Sequence, residues 1–176
     1  IGLGYVGLPL AIEFGKIFKT MGFDINSSRV KDLNKGIDST LEVNPKQIKE
    51  SKFLNIVDKE IYLKGVNVYI VTVPTPVDKN NNPDLKIIVN ATELVGKYLK
   101  RNDIVIFEST VYPGLTEEIC VPILEKTSGL KYNLDFFCGY SPERINPGDK
   151  VHTLTKIKKI VSGSNEETTL KINDIY

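Results

Sequence analysis

Gly2-Leu3-Gly4-Tyr5-Val6-Gly7 fits the pattern G-x-G-x-x-G. Glycine at the first position permits a tight turn from strand to helix. At the second it lets backbone approach a pyrophosphate with no Cβ in the way, and at the third it lets the helix lie close on the sheet. The helix that starts there offers free N–H groups and its positive dipole end to phosphate. Alone the pattern is weak. A carboxylate strengthens it, because Asp24 stands twenty residues beyond Gly4 at the end of the next strand-like run. There it can accept both ribose hydroxyls of adenosine and would repel a 2′-phosphate, which points to NAD rather than NADP. The alternative is that the glycines only shape a turn and Asp24 caps a helix over Ser27 to Lys35. Arg29 has two readings as well, covering the adenosine face or facing water.

In an open α/β sheet, ligands bind beyond the carboxyl ends of the strands. Three such ends carry polar handles. Pro74-Thr75-Pro76 leaves the Thr75 hydroxyl between two fixed rings. In Glu108-Ser109-Thr110-Val111-Tyr112-Pro113-Gly114, Thr110 can reach the nicotinamide side, whereas Ser109 and Thr116 have plain capping as their bland reading. In Ser141-Pro142-Glu143-Arg144-Ile145-Asn146-Pro147-Gly148, an acid beside a base between prolines suits a phosphorylated ligand or a proton transfer. The bland reading of Glu143 and Arg144 is a surface pair worth little. Cys120 and Cys138 each sit among apolar residues and read as buried, inert thiols, and His152 reads as solvated.

The elements that must position these groups alternate. Strand-like runs cover Phe18 to Ile25, Asn67 to Val73, Asp103 to Phe107, Asp135 to Tyr140 and Lys159 to Ser162. Helical patterns cover Tyr5 to Phe14, Leu85 to Leu99 and Thr116 to Lys126. The βαβ order predicts an α/β fold, a Rossmann-like doubly wound parallel sheet, in one domain over residues 1–176. Ile1 leads at once into the glycines and Glu166 to Tyr176 reads as an incomplete helix, so the chain is expected to be truncated at both ends, a piece of something longer.

The 176 residues carry 23 Lys plus Arg against 22 Asp plus Glu, a net charge of +1, which argues against nucleic acid or an anionic membrane as main partner. No apolar run reaches the ~18–20 residues of a membrane span. Two cysteines make no disulfide framework, leaving a cytoplasmic location as the default, and one histidine leaves no His-rich metal site.

GLGYVGLPLA (Gly2 to Ala11), GFDIN (Gly22 to Asn26), VPTPVD (Val73 to Asp78), FESTVYPG (Phe107 to Gly114) and GYSPERINPG (Gly139 to Gly148) together resemble the NAD-binding domain of the UDP-glucose/GDP-mannose dehydrogenase family. Within it, ESTVYPG with SPERINPG looks most like the UDP-N-acetylhexosamine 6-dehydrogenases, including the Vi-type capsular polysaccharide enzymes. The resemblance implies that the C6 alcohol of a UDP-sugar is oxidised twice to a carboxylate with two NAD, through a thioester on a cysteine. It implies that Gly2, Gly4, Tyr5, Val6, Gly7, Asp24, Arg29, Thr75 and Thr110 hold NAD. It makes Thr110 and Glu143 catalytic, and it lines the sugar-nucleotide site with Arg144 and Ile145. The family's nucleophile and catalytic lysine match nothing here, so its central helix, its substrate domain and the homodimer that helix forms are expected only in a longer protein.

Two other classes stay open. A non-catalytic NAD-sensing module would fit the missing nucleophile. A different NAD oxidoreductase, such as a hydroxyacid dehydrogenase, would share the glycine turn but has no reason to carry both Glu108-Ser109-Thr110 and Ser141-Pro142-Glu143-Arg144. A UDP-glucose 6-dehydrogenase is the alternative within the family.

Overall fold

Short runs of β-branched and aromatic side chains form strands where both faces can be covered. In the computed structural model, which describes residues 1–77, 79–80, 82–143 and 157–176, the chain divides into two compact units. The first includes Ile1–Lys64; the second comprises Gly65–Glu143 with Lys159–Tyr176.

The first unit begins with helix α1 (Gly7–Gly15) and strand β1 (Thr20–Phe23). Helices α2 (Ser27–Asn34) and α3 (Pro45–Glu50), strand β2 (Leu54–Val57) and a 3₁₀ turn (Glu60–Leu63) follow. The two strands run parallel, Thr20 opposite Leu54 and Phe23 opposite Val57. Ahead of α1 the Gly2 N–H donates to the Phe23 carbonyl at 2.8 Å, so the residues entering the glycine turn lie along β1. Leu8, Ala11 and Ile12 share one face of α1 and close a core with Leu3, Leu33 and Val43. Neither α3 nor β2 was expected. Helix α3 buries no residue, and its start is fixed by a reciprocal cap between Asn44 and Gln47 with Pro45 in the first turn.

The second unit holds β3 (Val68–Val71), α4 (Lys86–Tyr98), β4 (Ile104–Phe107) and a π-helical turn (Thr116–Cys120) that runs into α5 (Val121–Ser128). Then come β5 (Phe137–Tyr140), β6 (Ser162–Gly163) and α6 (Glu166–Ile175). The sheet order is β3-β4-β5-β6. The first three strands are parallel, as the βαβ pattern predicts, and every residue of β4 is buried. The last differs from expectation. Lys159 to Ser162 does not add a parallel strand; only Ser162 and Gly163 pair, antiparallel to Tyr140 and Gly139. A two-residue polar edge of this kind ends the sheet without offering a long unpaired ladder. Ile172 of α6 closes a core with Ile104 and Ile106, and Val161 and Tyr176 pack against it.

Candidate functional site

In the first unit the turn before α1 has the geometry its glycines demand. Gly2 has φ 90°, a conformation that a side chain would strain. A Cβ built on Gly4 meets no atom within 4 Å. No side chain caps the N-terminus of α1, and its first turn carries no acidic residue. Open space over Gly4 beside an uncapped helix start is what a diphosphate needs. Tyr5 is exposed, and Val6 and Gly2 are partly covered.

Asp24 closes this corner. Its backbone N–H donates to the Val57 carbonyl at 3.1 Å, carrying the β1–β2 ladder one residue further. One carboxylate oxygen accepts the Leu3 N–H at 2.8 Å and the other accepts the Asn26 N–H at 2.9 Å. Each oxygen retains a lone pair for a hydroxyl. The cap of α2 is Asn26, which accepts from the Ser28 and Arg29 N–H groups, so the capping role open to Asp24 is filled by its neighbour.

Arg29 is turned onto the protein itself. Its Nε and Nη2 donate to the Leu3 carbonyl at 3.1 and 2.9 Å, and its Nη1 pairs with Asp38 at 2.7 Å and donates to Ser39 at 3.0 Å. The guanidinium fork thereby ties the glycine turn to the loop after α2. Asp38 was missed by the sequence reading. Burial raises its pKa, but hydrogen bonds from Thr40 and Val43 and the Arg29 guanidinium outweigh that and hold it below the usual carboxylate value.

The second unit gathers its handles at the carboxyl ends of β3, β4 and β5. Glu108 N–H donates to the Val71 carbonyl at 2.8 Å, and the Ser109 hydroxyl donates to the Val73 carbonyl at 2.6 Å. The Thr75 hydroxyl donates to the Thr110 carbonyl. The Ser141 N–H donates to the Phe107 carbonyl at 3.1 Å. Three loops are thus stitched side by side, and Thr110 is left exposed. Ser109 therefore binds across strands instead of capping a helix. Thr116 does not cap either: the cap position is Leu115, and Thr116 is the buried first residue of the π-helical turn.

Glu143 is partly covered, with one carboxylate oxygen shut off from solvent. The Ser141 hydroxyl, wholly buried, has no hydrogen-bond partner among the described residues. Arg144 and Ile145 lie outside the described residues. Cys120 and Cys138 are free and buried, and burial pushes the Cys120 thiol up to about 11 and Cys138 higher still. Among the described residues no cluster of His, Cys, Asp and Glu could hold a metal, and no helix is long and apolar enough to cross a membrane.

The model of the UDP-glucose/GDP-mannose dehydrogenase family, NAD binding domain, matches residues 1–176. A UDP-N-acetyl-D-glucosamine 6-dehydrogenase of Pseudomonas aeruginosa is 57% identical over the whole chain, which spans 42% of that relative. Protein CapL of Staphylococcus aureus is 52% identical, with the chain spanning 41% of its length. The solved structure of a UDP-D-ManNAc dehydrogenase from Pyrococcus horikoshii superposes on 99% of the chain with a TM-score of 0.91 and 33% identity; the match covers 43% of that structure's chain.

Proposed function

Because the chain belongs to the UDP-glucose/GDP-mannose dehydrogenase family, as its NAD binding domain, we propose that it serves a nucleotide-sugar 6-dehydrogenase acting on a UDP-N-acetylhexosamine. The reaction takes the C6 primary alcohol to the carboxylate in two oxidations, each removing a hydride from C6 with loss of a proton, and water that cleaves the intervening thioester supplies the second carboxylate oxygen. NAD, when bound, accepts that hydride. The observation that carries the reading is the corner formed by Gly2, Gly4 and Asp24: open backbone at a helix start, with a carboxylate drawn to the same turn through the Leu3 N–H. The 57% identity to the Pseudomonas aeruginosa UDP-N-acetyl-D-glucosamine 6-dehydrogenase supports an N-acetylhexosamine as the sugar.

The residues divide the work. Gly2, Gly4, Tyr5, Val6 and Gly7 frame the diphosphate, and Asp24 grips the adenosine ribose. Arg29 serves the cofactor by fixing the carbonyl of Leu3 inside the turn. Thr75 and Thr110 take the nicotinamide side, where the exposed Thr110 hydroxyl can orient water or the sugar alcohol. Glu143 takes the proton of the C6 hydroxyl as the hydride leaves C6, or assists the hydrolysis of the thioester, and Arg144 and Ile145 line the sugar nucleotide. Neither cysteine supplies the thiol of a thioester, since a buried, neutral thiol is a poor nucleophile. That group belongs to another part of the complete protein.

The test is the complete protein supplied with UDP-N-acetylglucosamine, UDP-N-acetylgalactosamine, UDP-glucose and GDP-mannose while NADH is followed. Two NADH per UDP-N-acetylhexosamine are expected. NADH from UDP-glucose alone would move the substrate to the alternative within the family, and none from any of the four would overturn the reading.

A further inference from the structure

Glu108 is 1% exposed and both of its carboxylate oxygens are taken. The Lys159 ammonium pairs with one, and the Tyr176 hydroxyl donates to the other. Lys159 also lies 5.4 Å from the centre of the Tyr176 ring, so the three side chains form one closed cluster. The partners come from far along the chain: Lys159 from the segment entering β6, Tyr176 from the end of α6. On its other side, Glu108 is bonded through its backbone to Val71, and the next two residues are bonded to the β3 loop. Glu143 lies close enough that its charge is felt at both Glu108 and Tyr176.

A buried ion pair of this kind is a poor source of stability. Desolvating both charges costs several kcal/mol, and apolar side chains of similar volume do as well or better. What a buried, fully bonded carboxylate does provide is fixed geometry. The chain direction makes the consequence local, because Ser109 and Thr110 follow Glu108 directly at the mouth of the β4 loop.

Resting on the dehydrogenase reading above, we propose that Glu108, gripped by Lys159 and Tyr176, is a positioning residue that holds Thr110 and the neighbouring Glu143 in register for the oxidation at C6. Glu108 touches neither substrate nor cofactor. It anchors the β4 loop to α6 and to the segment before β6, so these elements move with the catalytic loops or not at all. Tyr176 and Lys159 matter through the grip they exert on that carboxylate.

The experiment uses the complete enzyme. Tyr176→Phe keeps the ring and removes only the donated hydroxyl. It is expected to lower kcat roughly 10- to 100-fold, the scale of a small misplacement of reacting groups, with the KM for NAD near that of the parent and the thermal midpoint lowered because one buried carboxylate oxygen loses its donor. Lys159→Met leaves a buried carboxylate without its cation and is expected to lower both kcat and the midpoint. The neutral pair Glu108→Gln with Lys159→Met is expected to recover the midpoint but not kcat, and Lys159→Arg to recover both. An active parent with Tyr176→Phe at parental kcat overturns the inference. So does a neutral pair that recovers kcat together with the midpoint, since that is the behaviour of a merely structural cluster. A parent that makes no NADH sinks the dehydrogenase reading, and this inference with it.

Discussion

Glu143→Gln in the complete enzyme is expected to cut kcat roughly 10²- to 10⁴-fold while NAD affinity stays that of the parent. The amide matches the carboxylate in size and keeps one acceptor oxygen, but it cannot take the proton of the C6 hydroxyl. The side chain stands three residues past the end of β5, partly covered and with one oxygen out of reach of solvent. The Ser141–Phe107 hydrogen bond fixes the loop that carries it. A proton acceptor held in that way loses its function with its charge, whereas a surface carboxylate would lose almost nothing. Steady-state NADH formation gives kcat, and a separate NAD titration shows that the cofactor still binds. A kcat within a few-fold of the parent would return Glu143 to the surface-pair reading.

Gly4→Ala is expected to separate binding from folding. A Cβ at this position meets nothing within 4 Å, so the added methyl disturbs no packing. Thermal stability should remain within about 0.5 kcal/mol, as for a substitution that touches no other group. The same methyl enters the space through which the turn must admit a diphosphate. Forcing a methyl into a filled site costs about 1–3 kcal/mol, which is roughly a 5- to 150-fold loss of NAD affinity. A calorimetric titration beside a melting curve reads both quantities on one sample. Full affinity at unchanged stability would show that the space over Gly4 is not where phosphate lies.

The candidate residues of each unit could be picked from the sequence because their determinants are local or lie at a spacing set by one βαβ unit. The glycine turn, Asp24 and the strand-end loops follow from residue type and position alone. The strands β1, β3, β4 and β5 announce themselves as apolar runs. Strand β2 does not: Asn55 interrupts its apolar character and none of its residues is fully buried. Helix α3 fully buries no residue and packs only Ile48 against the core, so it leaves no apolar stripe to read. Partnerships across the chain were closed to sequence reasoning for a different reason. Glu108 meets Lys159 and Tyr176 across 51 and 68 residues, and Arg29 meets the Leu3 carbonyl across 26. No periodicity or motif encodes such pairs; they exist only once the fold brings segments distant in sequence together. Arg29 shows the point most clearly. Read alone, a guanidinium near a nucleotide corner faces ligand or water. Folded, its fork is engaged by a backbone carbonyl and a buried carboxylate.

The most direct measurement is a calorimetric titration of the complete protein with NAD and with NADP. The Asp24 carboxylate beside the glycine turn should accept a ribose diol and repel a phosphate in its place, so NAD is expected to bind at least about tenfold tighter than NADP. Asp24→Ala should weaken NAD by about 1–3 kcal/mol and shrink that preference. Equal affinity for the two dinucleotides, or no heat from either, would contradict the assignment of this corner to NAD.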